Sequence, residues 1–218
     1  MRAAIVGISG KLGREIALLD KTDDFFVVAG FDENNSIERA ENADFDVIIE
    51  FARACATAKT LNFAKKHRVP VVIGTTGHDE EQRKEIENAA KSVPVLYAAN
   101  FSLGAYALEK AAQAAKNILK NAEITIVETH RKGKLDCPGG TAKELALSVG
   151  GAEIFSVRRG DVAGRHELIF DCGNQTLTLC HEVYSRRAFA EGAVLAAKKL
   201  ISLPAGLYGA DDVFGGKA

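Results

Sequence analysis

The feature that most constrains this fold is the alternation of short apolar runs with helical segments over the first 130 residues. The apolar runs occupy residues 3–6, 25–31, 45–49, 69–73 and 94–97. Segments with helical periodicity occupy residues 11–20, 54–67, 79–91 and 103–119. Uninterrupted apolar runs are typical of strands that are buried on both faces. The alternation therefore predicts an α/β fold, with a doubly wound parallel sheet and helices on both of its faces.

The pattern changes in the second half of the chain. Strands are predicted at residues 123–128, 153–158, 166–171 and 175–184, and a last helix at 188–200. The Gly173-Asn174 pair between two alternating runs predicts a hairpin with a two-residue turn. These elements predict a second, smaller α+β domain at residues 102–185. We predict that residues 1–101 form the first domain and that residues 186–218 return to it.

Composition narrows the class of protein. The chain has 218 residues, of which 47% are hydrophobic and 26% charged, and its net charge is -1. These values are typical of a globular protein and give no basic field for nucleic acid or a membrane surface. No apolar run is long enough to span a bilayer, and the N-terminus enters a strand pattern without a signal peptide. We expect a cytoplasmic location.

The four cysteines form no CxxC pair. The predicted hairpin places Cys172 opposite Gln175 and Cys180 opposite Glu167, so these two thiols do not face each other. Reduced thiols are the expectation, and no metal site is predicted.

Three glycines follow the first predicted strand: Gly7, Gly10 and Gly13. Glycines at such a turn let the backbone approach a pyrophosphate, which the N-terminus of the next helix then binds. Asp32 ends the second strand, where an acid usually binds the ribose diol of a dinucleotide. The spacing differs by one residue from the commonest fingerprint, and a purely structural turn is the alternative. We favour a Rossmann-like dinucleotide site.

Other segments at the same sheet edge support this interpretation. Gly74-Thr-Thr-Gly77 follows the fourth strand, and residues 98–101 follow the fifth. Ligands of open α/β sheets bind at the carboxyl ends of the strands, although threonine and glycine clusters are also ordinary loop residues. Glu33 beside Asp32 would repel a 2′-phosphate. The sequence therefore favours NADH and leaves NADPH usable.

The segment from residue 128 to 142 has the chemistry of an anion site. His130 and Lys134 are separated by a glycine-containing turn, so both could reach one cavity. A lysine can bind a carboxylate and donate a proton when it is desolvated. Thr141 and Glu144 have the spacing of a capping box, which predicts a helix beginning at Thr141. The free N–H groups of such a helix would help to bind a small dicarboxylate.

Simpler interpretations of this segment stay open. Arg131 and Lys132 could belong to a solvated face, and His130 could be structural. Asp136 could simply pair with Lys134. Cys137 lies beside cations that would activate a thiol, but the sequence places no general base for it.

The same segment resembles the signature of the dihydrodipicolinate reductase family. The residues that carry the likeness are Glu128, His130, Lys134, Asp136, Pro138, Gly140, Thr141 and Ala142. Further matching stretches are 7–13, 74–77, 99–102, 158–166 and 185–190. The likeness extends over nearly the whole chain, and the chain resembles the shorter members of the family.

The resemblance implies an NAD(P)H-dependent reductase of lysine and diaminopimelate biosynthesis, which reduces 4-hydroxy-tetrahydrodipicolinate to tetrahydrodipicolinate. The second domain would bind substrate and form a homotetramer. His130 and Lys134 would be catalytic, and Arg131, Gly140 and Thr141 would bind substrate. The residues implied to bind the cofactor are Gly7, Ile8, Ser9, Gly10, Lys11, Leu12, Asp32, Gly74, Thr75, Thr76, Ala98, Ala99, Asn100 and Phe101.

The chain departs from the family pattern at a few positions. Arg131 replaces a usual histidine, and Gly139 replaces a usual serine. An arginine can bind a carboxylate but cannot relay a proton at neutral pH. Lys11 stands where arginine is common, and Glu33 where some members carry a phosphate-binding arginine. The alternatives are a dehydrogenase of an amino acid or its semialdehyde, and a sensor that binds NAD(H) without catalysis.

Overall fold

A computed structural model describes residues 1–22 and 24–215. The chain forms two compact units: Met1–Phe101 joined by the described residues from Arg187 onward, and Ser102–Arg186. Residues 216–218 of the predicted returning segment lie outside the described residues. Within the described part, no helix is both long and apolar enough to cross a membrane.

The strands are β1 (Arg2–Val6), β2 (Phe26–Phe31), β3 (Val47–Glu50), β4 (Val71–Ile73), β5 (Pro94–Tyr97), β6 (Glu123–His130), β7 (Glu153–Arg158), β8 (Gly164–Asp171), β9 (Thr176–Val183) and β10 (Gly206–Tyr208). The helices are α1 (Lys11–Ala17), α2 (Ala54–His67), α3 (Glu80–Ala90), α4 (Leu103–Ile118), α5 (Gly140–Ser148), α6 (Arg187–Leu200) and α7 (Ala210–Phe214), with a 3-10 helix at Ile37–Arg39.

The first unit is built on a parallel six-stranded sheet in the order β10-β5-β4-β3-β1-β2. Successive residues of β1 point to opposite faces. Ile5 packs with α1 and α6 on one side, and Val6 packs with α2 and α3 on the other. The predicted α/β fold with helices on both faces is confirmed. Strand β10 and helix α7 were not predicted, because elements of three and five residues are too short to show periodicity.

The second unit contains a four-stranded sheet in the order β7-β6-β8-β9. Strands β6 and β7 are parallel, and the other neighbours are antiparallel. Helices α4 and α5 pack on one face of this sheet through Leu108, Leu145 and their neighbours. The predicted hairpin register is confirmed, because Glu167 lies opposite Cys180 and Gly173 has a φ of 83°. All four cysteines are free thiols.

Two predictions near residue 130 are wrong. The strand predicted to end at 128 continues to His130, so this histidine lies in β6 and not in the following loop. Helix α5 begins at Gly140 with Gly139 as its N-cap, so the capping box predicted at Thr141 does not start the helix. The Gly139 N–H donates to Glu128 and its carbonyl accepts from Lys143. This anchoring starts the first helical turn earlier than the side-chain pattern suggests.

Candidate active site

The glycine turn after β1 has a geometry that larger residues could not adopt. Gly7 has a φ of 89°, and a Cβ on it would lie 2.2 Å from the Phe51 carbonyl oxygen. A Cβ on Gly13 would lie 2.1 Å from the Gly7 carbonyl oxygen. Gly10 donates its N–H to that oxygen at 2.9 Å and is the N-cap of α1. At this turn no side chain covers the backbone N–H groups at the start of α1, as phosphate binding requires.

Asp32 directly follows β2. Its Oδ1 accepts backbone N–H groups from Asn34 at 3.0 Å and Asn35 at 3.2 Å. The hydrogen bond from Asn34 is the main cause of a lowered pKa for this carboxyl, and the Ser9 hydroxyl adds to it. Asp32 is therefore a charged acceptor held in place near the glycine turn.

A cavity of about 510 Å³ connects these features. Its lining includes Gly7, Ser9, Gly10 and Asp32, which the sequence analysis had assigned to the cofactor. The lining also includes Arg53 and Lys59 after β3, which that analysis did not name. Lys59 Nζ lies 3.2 Å from a carboxylate oxygen of Glu38. Which side chains after β3 reach the cavity could not be predicted from the sequence.

Phe51 joins this cavity to the two other cofactor segments. A Cβ on Gly74 would lie 1.9 Å from the Phe51 ring, so only glycine fits against it. The ring also meets Phe101 edge-on, with centroids 5.3 Å apart. Thr75 Oγ1 accepts the N–H of Ala52 at 2.9 Å, which fixes the loop after β4.

The remaining residues assigned to the cofactor do not line this cavity. They are Ile8, Lys11, Leu12, Gly74, Thr75, Thr76, Ala98, Ala99, Asn100 and Phe101. Their contact with a cofactor stays a prediction. The glycine turn and Asp32, together with the size of the cavity, fit the adenosine and pyrophosphate parts of a dinucleotide.

The second unit has a polar row across one face of its sheet. Ser156, Glu128, His166 and His181 are successive cross-strand partners on β7, β6, β8 and β9. His130 lies one pair further along β6, opposite Arg158. Side chains in register on neighbouring strands project to the same side, which brings these groups together.

Glu128 is the centre of this row and is fully buried. Its Oε1 accepts hydrogen bonds from Ser156 Oγ at 2.7 Å, Arg158 Nη2 at 2.7 Å and the Gly139 N–H at 3.0 Å. Burial acts to raise the pKa of this carboxyl, but the three donors and the guanidinium charge outweigh it. The pKa of Glu128 falls to about 2, so this carboxylate is ionised at neutral pH.

His130 lies against the other oxygen of the same carboxylate. Its Nδ1 is 3.1 Å from Glu128 Oε2, although the two groups are not aligned for a hydrogen bond. The histidine is only 7% exposed, and the His166 ring meets it at 74° with centroids 5.2 Å apart. Burial lowers the pKa of His130 despite the attraction of Glu128. The imidazole is therefore neutral at pH 7.

Lys134 also lies near the Glu128 carboxylate. It follows a tight turn, in which its backbone N–H donates to the Arg131 carbonyl. Its ammonium pairs with Asp136, the simpler interpretation that the sequence left open. A Cβ on Gly139 would lie 2.7 Å from Glu128 Oε2 and 2.9 Å from Lys134 Nζ. Gly139 therefore leaves room for the lysine to approach the buried carboxylate.

The predicted substrate-binding residues surround this cluster. Gly140 and Thr141 form the first turn of α5, and a Cβ on Gly140 would meet open space. The Arg131 guanidinium folds over Gly133 and forms no ion pair with any described residue. Sequence reasoning did not assign Ser156, Arg158 or His166 to the site. The last two do belong to the stretch that carried the family resemblance.

Glu128, His130 and His166 bring three ligand-type atoms within 4.8 Å of one another. A divalent cation there would compete with Arg158, which already neutralises the carboxylate, and with nearby Lys134. We therefore assign the group to the orientation of His130 and not to metal binding.

The fold and these two clusters define a class. The first unit has the turn, acid and cavity of a Rossmann-like dinucleotide-binding protein, and the second holds a buried histidine beside a lysine. The class is a pyridine nucleotide-dependent oxidoreductase. The family model "Dihydrodipicolinate reductase, N-terminus" matches residues 1–101, and "Dihydrodipicolinate reductase, C-terminus" matches residues 104–214. The chain belongs to the dihydrodipicolinate reductase family.

Named relatives agree with this assignment. The 4-hydroxy-tetrahydrodipicolinate reductase of Rickettsia rickettsii (strain Sheila Smith) is 34% identical over 98% of this chain and 99% of its own length. The enzyme of the same name from Alkaliphilus metalliredigens (strain QYMF) is 33% identical over 99% of each chain. A dipicolinate-bound dihydrodipicolinate reductase from Paenisporosarcina sp. TG-14 has the same fold. Its TM-score is 0.83 at 22% identity, over 98% of this chain and 99% of that one.

Proposed function

We infer that this chain catalyses the NAD(P)H-dependent reduction of 4-hydroxy-tetrahydrodipicolinate to tetrahydrodipicolinate, in lysine and diaminopimelate biosynthesis. The observation that carries this inference is the cluster of His130 and Lys134 around buried Glu128, in a chain whose relatives of that name match it from end to end. A solved family structure carries bound dipicolinate, which is a planar ring dicarboxylate.

We propose that the substrate carboxylates bind to Lys134, Arg131 and the first turn of α5 at Gly140 and Thr141. Two cations and a helix N-terminus suit two carboxylates. Arg131 has no competing ion pair among the described residues, which supports this role. His130 and Lys134 take part in transferring the proton that accompanies reduction.

The first unit binds the nucleotide in this proposal, and the reduced nicotinamide supplies a hydride when bound. Asp32 would accept hydrogen bonds from the ribose hydroxyls, and Asp32 with Glu33 would repel a 2′-phosphate in the same cavity. Arg53 and Lys59 line that cavity as well and offset part of the repulsion. We propose that NADH is favoured and that NADPH is usable.

Assembly and location are also proposals. The face of the second sheet opposite α4 and α5 carries Phe155 and Val157, which are 51% and 38% exposed. Exposed apolar side chains clustered on a sheet face commonly mark a surface that binds another subunit. We propose a homotetramer formed through this face, and a cytoplasmic location in keeping with the biosynthetic role.

The test is oxidation of NADH and NADPH with substrate generated in place by a coupled synthase from pyruvate and aspartate semialdehyde. We expect oxidation that depends on the synthase and is faster with NADH. Oxidation with aspartate semialdehyde alone would instead indicate reduction of the aldehyde group, by a dehydrogenase that acts on an amino acid semialdehyde.

The Lys134→Ala variant completes this test. It should abolish turnover and leave NADH binding intact, because Lys134 lies in the second unit and the nucleotide cavity in the first. NADH binding without turnover in the unaltered protein would instead indicate a nucleotide sensor.

A further inference from the structure

We propose that Glu128 is a positioning residue that holds neutral His130 as its Nδ1–H tautomer, so that Nε2 is a proton acceptor and Lys134 is the proton donor. This inference rests on the proposed function for the roles of the two side chains. The tautomer itself follows from the contacts of Glu128 alone and can be measured without any substrate.

The two oxygens of Glu128 have different neighbours. Oε1 already accepts three hydrogen bonds, from Gly139, Ser156 and Arg158. Oε2 accepts none and is buried. His130 Nδ1 lies 3.1 Å away and is also buried without a hydrogen bond. An ionised carboxylate can only accept, so the nitrogen that faces it must carry the hydrogen. Such contacts often tighten only when substrate binds.

The other ring nitrogen of His130, Nε2, faces Gly164. A Cβ on Gly164 would lie 3.2 Å from His130 Nε2. Any larger residue at this position would therefore crowd that nitrogen, and glycine leaves it accessible. With Nδ1 protonated, neutral His130 presents a lone pair at Nε2.

Charged side chains of both signs surround the His130 ring. Glu128 on β6 and Asp136 in the following loop attract a proton to His130. Lys134 in that loop and Arg158 on β7 oppose it, and buried His166 packs from β8. Burial is the largest effect, and the pKa of His130 lies below its usual value. A neutral ring with hydrogen at Nδ1 has no proton to give from Nε2, which leaves donation to Lys134.

The experiment is NMR of the full-length protein labelled with ¹⁵N-histidine at pH 7.5, with the His130 signals assigned by loss in His130→Asn. We expect the hydrogen on Nδ1 and an unprotonated Nε2, which resonates far downfield. A hydrogen on Nε2 in the unaltered protein would overturn the proposal, whether or not any variant folds.

The Glu128→Gln variant gives a directed change. Three donors hold the Oε1 position, so the glutamine oxygen must occupy it and the amide N–H₂ must face His130. The tautomer should then switch to Nε2–H, and kcat should fall about 10²-fold or more. The acid limb of the kcat/KM profile should move to lower pH, because the attraction of Glu128 for the proton is lost. A retained Nδ1–H tautomer in this variant would contradict the proposal.

Ser156→Ala is the matched control. It removes one donor to Oε1 and keeps the carboxylate, so the tautomer should be unchanged and the pH profile should keep its position. The His130 tautomer could switch in Glu128→Gln as expected while neither the unaltered protein nor any variant reduces the substrate. The proposed function would then be wrong, and the effect of Glu128 on the tautomer would still be confirmed.

Discussion

At the scale of single residues, the proposed preference for NADH depends most on Asp32. Its carboxylate is held by the Asn34 and Asn35 N–H groups within the nucleotide cavity. We predict that Asp32→Ala weakens NADH binding by about 1–3 kcal/mol, as expected when hydrogen bonds to a charged group are lost. NADPH binding should weaken less, because the repulsion of its 2′-phosphate is also removed. Fluorescence titration of both nucleotides measures the two affinities.

The control is Glu41→Ala, which removes an equal charge from an exposed position outside the cavity lining. It should leave the ratio of the two affinities unchanged. Equal losses for NADH and NADPH in the Asp32 variant would contradict a contact with the ribose.

His166 should make stability depend on pH. Burial is the main cause that lowers the pKa of His166 to about 4 from 6.5. The unfolded chain therefore binds a proton between these values when the folded chain does not, so stability falls as pH drops from 6.5 toward 4. We predict that His166→Gln removes a loss of about 2 to 3 kcal/mol between pH 7 and 4.5. Urea unfolding at several pH values measures this.

Above pH 7.5 the unfolding free energies of the two proteins should run parallel, since His166 is neutral in both states there. If the variant lost stability on acidification as steeply as the unaltered chain, another group would be responsible.

At the scale of elements, a buried polar network joins the ends of β3 and β5 and the loop after β4 to α2. Thr57 on α2 donates to Glu50 Oε1 at 2.5 Å and lies 2.8 Å from His78 Nε2. His78 Nδ1 lies 3.2 Å from the Tyr97 hydroxyl. Because the threonine hydrogen goes to Glu50, the neutral histidine must donate from Nε2 and accept from Tyr97.

We predict that Thr57→Val destabilises the protein by about 1–3 kcal/mol, because it leaves a fully buried carboxyl group and a buried ring nitrogen without partners. Urea unfolding gives the change in free energy. The control is Thr60→Val, one turn later on α2 and equally buried, whose hydroxyl makes only a 3.4 Å contact with the Ala56 carbonyl. A comparable loss in both variants would mean that helix packing, not the network, is responsible.

The elements differ in how far the sequence predicts them. Strands β1, β3 and β4 of the first sheet were found because nearly every residue in them is buried and most are apolar. The start of α5 was not, because it depends on Glu128, which is eleven residues from Gly139 in sequence. The Glu128 contacts with Ser156 and Arg158 span 28 and 30 residues and require a cross-strand register. Local spacing does not contain such information.

At the scale of the whole molecule, we predict that Phe155→Asp weakens the proposed tetramer. A charge on an apolar face that becomes buried between subunits is costly. Sedimentation should give four times the chain mass of 23.3 kDa for the unaltered protein and a smaller assembly for the variant.

Leu147→Asp is the control, since Leu147 is 80% exposed on α5, which covers the other face of the sheet. It should sediment like the unaltered protein. If Phe155→Asp kept the full assembly mass, subunits would associate through a different surface.

The division of the chain has a consequence for its synthesis. The first unit needs α6 and β10, which follow the whole of Ser102–Arg186 in sequence. A nascent chain that has emerged as far as residue 101 therefore forms a sheet whose β5 edge is unpaired and whose α1 face lacks the cover of α6. The contiguous second unit is complete earlier than the first, although it begins later. Apolar surface that is exposed in this way before synthesis is complete is the kind that makes partly folded chains prone to aggregation.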